Sequence, residues 1–505
     1  MGRMRAFFKK LSPVLSGGFF VIAAATPLSA EEPPQNPPNI LFIIADDLGS
    51  MDIGPYNPGS FYETPHLDEF ARSGLTFRFG YGSNPVCSPT RFSIMTGKYP
   101  SRHDATNWFT GTRSGRFDPA PMNSSMPADE FTIAEALKEG GYATYFAGKW
   151  HLGADPDLWP EKQGFDINKG GWTAGSPSAH GGGGYFSPYN NPRLSDGPEG
   201  EFLTDRLAEE TVQFLRSRKD EEEPFFAYLS FYQVHTPLQA PEELVRKYEA
   251  KAERLGLDQL DAFGEEEQVW PTDNPRRVRV VQSHPVYAAM VESMDAAVGR
   301  VLFELDELGL SDNTIVIFTS DDGGLATSEG HPTSNLPLRG GKGWVYEGGL
   351  QVPLILRWPG VTAEGSTTDQ PVMNTDFYPT FIEAAGLPLR NDQHLDGVSL
   401  LPMLRGEGTP ERDGLFWHYP HYSNQGGFPG GAVQIDGWKL IERYEDGRVH
   451  LYNLRDDIEE QNDLAEEYPE RVERMRERLH AWYTEVDAKF LRARTDGPQP
   501  WCPGA

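Results

Sequence analysis

Four apolar runs, each ending abruptly in polar residues, limit what this chain can fold into more than any other feature. Asn39 to Ala45 (NILFIIA) leads into Asp46 and Asp47, and Ala143 to Ala147 leads into Gly148, Lys149, Trp150 and His151. Pro224 to Gln233 leads into His235, and Thr314 to Ser320 (TIVIFTS) leads into Asp321, Asp322, Gly323 and Gly324. Continuous apolar runs of this length suit strands buried on both faces. Between them, Thr64 to Ser73, Thr132 to Glu139, Phe202 to Arg218 and Val286 to Leu308 repeat their apolar residues at spacings of three and four, as helices do. This alternation predicts an α/β fold: a large mixed, mostly parallel sheet flanked by helices. Ligands of such sheets sit beyond the carboxyl ends of the strands, where all four polar clusters fall.

From Glu411 the pattern changes to short alternating stretches, Trp438 to Tyr444 and Arg448 to Leu454. Turn signals at Gly430-Gly431, Asp436-Gly437 and Asp446-Gly447 separate them, and a helix is expected from Pro469 to Val486. The expected organisation is a catalytic domain over 38–410, a smaller C-terminal α+β subdomain with an antiparallel sheet over 411–490, and a tail over 491–505. Gly181 to Gly184 reads as a loop.

The first thirty residues stand apart. Arg3, Arg5, Lys9 and Lys10 precede an apolar stretch from Val14 to Ala25, with Ser29 and Ala30 behind it, the layout of a secretory signal. Ser16, Gly17 and Gly18 interrupt that stretch, and it is shorter than the ~20 residues of a membrane span. A periplasmic or secreted protein, without stable membrane insertion after cleavage, is therefore expected. The formal net charge of −29 argues against nucleic acid as a partner and against long-range attraction of any anion. An anionic substrate then needs a few local basic residues in a cleft. For an exported chain of 505 residues, the two cysteines, Cys87 and Cys502, are few and far apart.

One Asp-Asp pair reads as a turn or a helix cap. Two pairs at comparable strand ends, Asp46-Asp47 and Asp321-Asp322, would repel one another in a common cleft unless a cation neutralised them. Oxygen ligands point to a hard divalent ion, calcium or magnesium, and no HxH, HExxH or paired-cysteine spacing suggests zinc. Cys87 lies in Cys87-Ser88-Pro89-Thr90-Arg91, with a permanent cation close behind it, and Ser93 to Thr96 is expected to open a helix. A nucleophile beside an anion cradle is what attack on a sulfate or phosphate ester requires.

Cys87-Ser88-Pro89-Thr90-Arg91 resembles the C-x-P-x-R signature of type I sulfatases, whose cysteine is oxidised after translation to formylglycine. Ala45-Asp46-Asp47, Gly148-Lys149-Trp150-His151-Leu152-Gly153, His235-Thr236-Pro237, Ser320-Asp321-Asp322-Gly323 and Arg339-Gly340-Gly341-Lys342-Gly343 are similar to that family's other landmarks, in its order. The resemblance spans 38–360 and implies an alkaline-phosphatase-like fold. It also implies a calcium ion, with magnesium as the alternative, held by Asp46, Asp47, Asp321, Asp322 and residue 87. The family usually has Asn where this chain has Asp322. The mechanism implied uses the hydrated aldehyde at residue 87 as nucleophile. Arg91, Lys149 and Lys342 neutralise the sulfate, His235 with Lys342 assists the leaving oxygen, and His151 deprotonates the second hydroxyl so that sulfate departs. A formylglycine-generating enzyme is the implied maturation partner.

The substrate expected is a sulfated carbohydrate, a polysaccharide-derived galactose or N-acetylgalactosamine unit for preference. Arg102, His103, Trp108, His180, His331, His418 and His421 are the candidate sugar contacts, with Asn107, Trp172 and Trp417 beside them; His103 and His331 lie closest in sequence to the motifs. Two alternatives remain at this point: a phosphodiesterase or phosphonate monoester hydrolase of the same superfamily, and a non-catalytic glycan-binding protein in which Cys87 is never converted.

Overall fold

The computed structural model describes residues 36–267, 275–390, 392–393 and 396–503, so the leader expected over 1–30 lies outside the described residues. The main sheet is built from β1 (Asn39–Ala45), β2 (Leu75–Phe77), β3 (Ala143–Gly148), β4 (Ile167–Lys169), β5 (Phe225–Ser230), β6 (Thr314–Ser320), β7 (Leu354–Arg357) and β8 (Ser366–Thr368). Their spatial order is β8-β2-β7-β6-β1-β5-β3-β4. The strands from β6 to β4 run parallel, whereas β7 is antiparallel to both β6 and β2. The sheet is thus mixed and mostly parallel.

Register explains why the polar clusters meet. Ala45 pairs with Ser320, while Ile44 and Gly148 both pair with Ser230. The carboxyl ends of β6, β1, β5 and β3 are therefore level, and Asp321, Asp46 and Lys149 emerge side by side at the next positions. β1 is buried throughout because side chains alternate between two covered faces. Leu41 and Ile43 belong to the cluster formed with α1 (Pro65–Ser73), α4 (Leu203–Ser217), α5 (Glu242–Leu255) and α6 (Pro285–Glu307). Ile40, Phe42 and Ile44 pack on the other side with α2 (Cys87–Thr96), α3 (Ile133–Glu139) and α7 (Phe377–Ala384). A capping box starts α3: Glu135 N donates to Thr132 Oγ1 at 3.2 Å and Thr132 N to Glu135 Oε2 at 2.8 Å. Among the described residues, no helix is long and apolar enough to cross a membrane.

The C-terminal part is an antiparallel meander of β9 (Leu415–Tyr419), β10 (Gly430–Ile435), β11 (Trp438–Arg443) and β12 (Val449–Asn453). Helix α8 (Pro469–Glu485) covers it with Met475, Leu479, Trp482 and Tyr483, and the Trp482 ring stacks on Phe416 at 5.2 Å. Gly430-Gly431 is not the turn its composition suggested; the pair opens β10. A Cβ on Gly431 would collide with the hydroxyls of Tyr444 and Tyr483, which bond each other at 2.8 Å, so glycine serves close packing here.

A buried ionic cluster joins the two parts. Lys439 on β11 lies 2.9 Å from both Glu347 and Glu460. Glu347 accepts from Tyr81 Oη at 2.9 Å, and Glu347 N donates to Glu460 Oε2 at 2.7 Å. Arg339 donates to the carbonyl of Glu460 at 2.9 Å. The segment between Arg339 and Glu347, which carries Lys342, is thereby fastened to the C-terminal sheet.

Candidate active site

Helix α2 begins at Cys87 itself, six residues before the expected start at Ser93. Pro89 suits a first turn, where its missing N–H costs nothing. All ten residues of α2 are buried, so no polar face betrays the helical period. Residue 87 consequently sits at a helix amino end directed at the strand ends, and Cys87 Sγ lies 3.4 Å from His151 Nδ1. Arg91 follows one turn later, on the same face. Its Nε donates to Asp321 Oδ2 at 2.8 Å, and its Nη1 donates to Ser230 Oγ at 2.6 Å and to the Lys149 carbonyl at 3.0 Å.

Two lysines meet two aspartates. Lys149 Nζ lies 2.7 and 2.6 Å from the oxygens of Asp46, and Lys342 Nζ lies 2.7 Å from Asp47 Oδ1. Asp321 Oδ1 accepts from the backbone N–H of Asp47 at 3.2 Å and of Asp322 at 3.0 Å. Asp322 is different: both carboxylate oxygens are buried and meet no donor. One atom from each of Asp46, Cys87 and Asp321, and likewise from each of Asp47, Asp321 and Asp322, fall within 4.8 Å of one another. Burial, then Asp47 and Asp321, pushes the Asp322 carboxyl well above the usual carboxylate range. Burial likewise raises Asp46, and it raises Asp321 to about 6 despite Arg91. At Asp47 burial acts upward too, but Lys342, His235 and Lys149 outweigh it and hold the carboxyl at about 2. Oxygen donors left bare and crowded in this way fit a hard divalent cation.

Two histidines face the same point. His151 is pushed well below the usual imidazole range by burial and by Lys149 and Arg91, which favour its neutral form. His235 is held at about 4 by burial and Lys342. Its Nδ1 bonds the Thr236 carbonyl at 2.8 Å, and Nε2 stands 3.9 Å from Asp47. Asp47 (φ 61°) and His151 (φ 58°) both leave the sheet through left-handed backbone. Gly148 (φ 101°) makes that exit possible on β3, where a Cβ would run into the Ser230 carbonyl.

From residue 87 a cavity of about 320 Å3 opens outward, lined by His151, His235, Lys342, Trp108, His180, Thr110, Ser124, Ser176, Glu329, Asn424 and Gln425, among others. Of the expected sugar contacts, Trp108 and His180 line it, and His180 packs edge-on against buried Trp172 at 5.8 Å. The others lie elsewhere, with their polar groups or rings engaged. Arg102 is paired with Asp396 at 2.6 Å and Glu485 at 3.0 Å, and His103 with Glu130 at 2.6 Å. His331 stands edge-on to Phe263 at 5.7 Å. His418 lies between Tyr444 Oη at 2.6 Å and the Lys489 carbonyl at 2.8 Å, and His421 is on Thr106 Oγ1 at 2.8 Å. Asn107 donates to the Gly111 carbonyl at 2.7 Å and Trp417 to the Gly82 carbonyl at 2.8 Å. Glu329, Asn424 and Gln425 belong to no motif, and nothing in the sequence marks them. Of the three, Glu329 alone follows a strand of the main sheet, β6.

The chain matches the family model described as Sulfatase over residues 38–387. It belongs to the sulfatase family. A second model, described as N-sulphoglucosamine sulphohydrolase, C-terminal, matches 341–487, from the loop of Lys342 through the antiparallel sheet and α8. The sulfatase is similar to a protein named Sulfatase from Formosa agariphila, 30% identical over 96% of each chain. It is also similar to N-acetylgalactosamine-6-sulfatase of Canis lupus familiaris, 32% identical over 78% of this chain and 70% of the relative. Among solved structures, that of Ps i-CgsB in complex with k-i-k-neocarrahexaose superimposes with a TM-score of 0.71 and 28% identity, covering 88% of this chain and 93% of that one. The phosphonate monoester hydrolase of Agrobacterium radiobacter shares the fold, with a TM-score of 0.61 and 20% identity over 92% of this chain and 100% of that one. The protein is therefore a sulfuric ester hydrolase with an alkaline-phosphatase-like fold.

Proposed function

We propose that this sulfatase is a periplasmic or secreted enzyme that removes sulfate from a carbohydrate, using formylglycine made from Cys87 by a formylglycine-generating enzyme. A divalent cation, calcium or else magnesium, would be held by Asp46, Asp47, Asp321, Asp322 and residue 87. One observation carries this reading: residue 87 lines an aromatic and hydroxyl-lined cavity and is grouped with Asp46 and Asp321, while Asp321 is grouped in turn with Asp47 and the bare carboxylate of Asp322. When present, the cation and the hydrated aldehyde supply an acidified oxygen nucleophile and charge neutralisation at the sulfate.

The chain's own residues divide the remaining work. Lys342 lines the cavity and meets the sulfate directly, whereas Lys149 and Arg91 lie beneath it and hold Asp46 and Asp321 in place. Lys342, beside Asp47, stabilises the oxygen that leaves with the sugar, and His235 assists in its protonated form, since its neutral form gives its one N–H to the Thr236 carbonyl. His151, 3.4 Å from the residue 87 side chain, accepts the proton whose loss frees sulfate. Trp108 and His180 offer a ring face and a hydrogen-bonding edge to the sugar.

Three measurements test the proposal. Cys87→Ala should abolish sulfate release from sulfated oligosaccharides, and retained release would remove residue 87 from the mechanism. Peptide mass spectrometry across residue 87 of protein from its native host should show the sulfur lost. Parallel kinetics on an aryl sulfate and an aryl phosphate diester separate this activity from a phosphodiesterase.

A further inference from the structure

We infer that Glu329 restricts the cavity to a neutral sugar unit, one whose single anionic group is the sulfate being removed. The inference rests on the sulfatase reading above and narrows its substrate class.

Glu329 stands in the cavity wall in left-handed backbone (φ 51°), and its carboxylate is fixed from three sides. Asn424 Nδ2 and Gln425 Nε2 donate to Oε1 at 2.6 and 2.8 Å, and Thr236 Oγ1 donates to Oε2 at 3.4 Å. Thr236 follows His235, so this carboxylate lies on the side where the sugar oxygen departs. With one long bond, Oε2 keeps capacity to accept from a sugar hydroxyl. Among the described residues, no ion pair reaches Glu329. Lys342 is the one lysine among the residues lining the cavity, and no arginine lines it. That lysine is already on Asp47 at 2.7 Å.

A second sulfate or a carboxylate placed against Glu329 would therefore meet a tethered acid in a wall that has no spare cation of its own, the nearby guanidinium groups of Arg276 and Arg113 being bonded to the Thr327, Asn424 and Ser423 carbonyls instead of lining the cavity. The net charge of −29 adds repulsion rather than relief. Hydroxyl and acetamido groups fare better: Glu329 accepts, the amides of Asn424 and Gln425 and the hydroxyls of Thr110 and Ser176 lie in the same wall, and Trp108 covers an apolar ring face. The cavity thus discriminates by repelling the wrong ligand as well as by holding the right one.

The test uses the converted enzyme and matched pairs of methyl galactosides and methyl N-acetylgalactosaminides, monosulfated and disulfated. Wild-type kcat/KM should favour the monosulfated partner by roughly tenfold or more, the scale of one extra like charge a few ångströms away. Glu329→Gln should bring that ratio to within roughly threefold of unity. Glu329→Ala, which removes the same charge without leaving an amide in its place, should move it the same way and serves if the first variant misfolds. Equal or faster turnover of the disulfated sugars by wild type, or an unchanged ratio in both variants, overturns the inference. If wild type releases sulfate from no member of either pair and from no aryl sulfate, the sulfatase reading falls and takes the inference with it.

Discussion

Glu460→Gln should make the protein more stable relative to wild type as the pH rises. Glu460 is fully buried at the junction with the C-terminal sheet, and burial, with a contribution from Glu347, lifts its carboxyl to about 7 in spite of Lys439. In the unfolded chain the same group titrates near 4.5. The sign follows from proton counting. Below pH 4.5 both states hold the proton and the group contributes nothing to pH dependence. Between 4.5 and 7 the unfolded chain has released it while the folded chain keeps it, so wild-type stability falls as pH rises. Two and a half pH units at about 1.4 kcal/mol each come to about 3 to 4 kcal/mol. A glutamine carries no such penalty and leaves Lys439 its partner Glu347 at 2.9 Å. Equilibrium urea unfolding of both proteins at several pH values from 4.5 to 8 measures the gap, in which titrating groups away from this cluster cancel. It should shift by about 3 to 4 kcal/mol in favour of the variant and stay constant above pH 7. Parallel stability curves across that range would refute the reasoning.

Asp322→Asn removes the carboxylate that meets no donor, and should weaken calcium binding by at least about tenfold in isothermal titration; equal affinities would take Asp322 out of the cation site. Lys342→Ala should lower kcat/KM for sulfate release by roughly a hundredfold or more, since it removes the cation that lines the cavity; a loss below about threefold would count against that role. Gly431→Ala drives a methyl into the paired hydroxyls of Tyr444 and Tyr483 and should cost about 1 to 3 kcal/mol in urea unfolding, with activity per folded molecule retained; an unchanged midpoint would show that the hydroxyls yield freely.

What the sequence made legible has a common cause. β1 and β6 have the same limits as the runs NILFIIA and TIVIFTS, because strands covered on both faces are apolar through their middle, with polar residues only at their ends. Their aspartates meet because parallel strands in register end level. The start of α2 was hidden because a helix buried all round has no polar face to set its phase. Gly430-Gly431 misled because a glycine pair marks close packing as readily as a turn. His103 and His331 were favoured for nearness in sequence to the motifs, yet nearness along a chain says little about which way a loop folds back. Glu329, Asn424 and Gln425 share a wall only once the C-terminal sheet docks, and no local pattern encodes docking.

The level strand ends have a consequence for redesign. Cys87, Asp46, Asp321 and Lys149 are anchored to the sheet or to the helix packed on it, whereas Glu329, His180 and Asn424 are carried by three separate loops. Lys342 and His235 apart, the residues proposed for the reaction and the proposed selector thus come from different parts of the fold. An engineer wishing to retarget the enzyme can exchange the loops around residues 180, 329 and 424 as cassettes and leave the sheet untouched. The centre around residue 87 should come through such swaps while the menu of sugars does not, provided that the new loop at 424 keeps the carbonyl that accepts from Trp344 Nε1 at 3.1 Å and steadies the Lys342 segment.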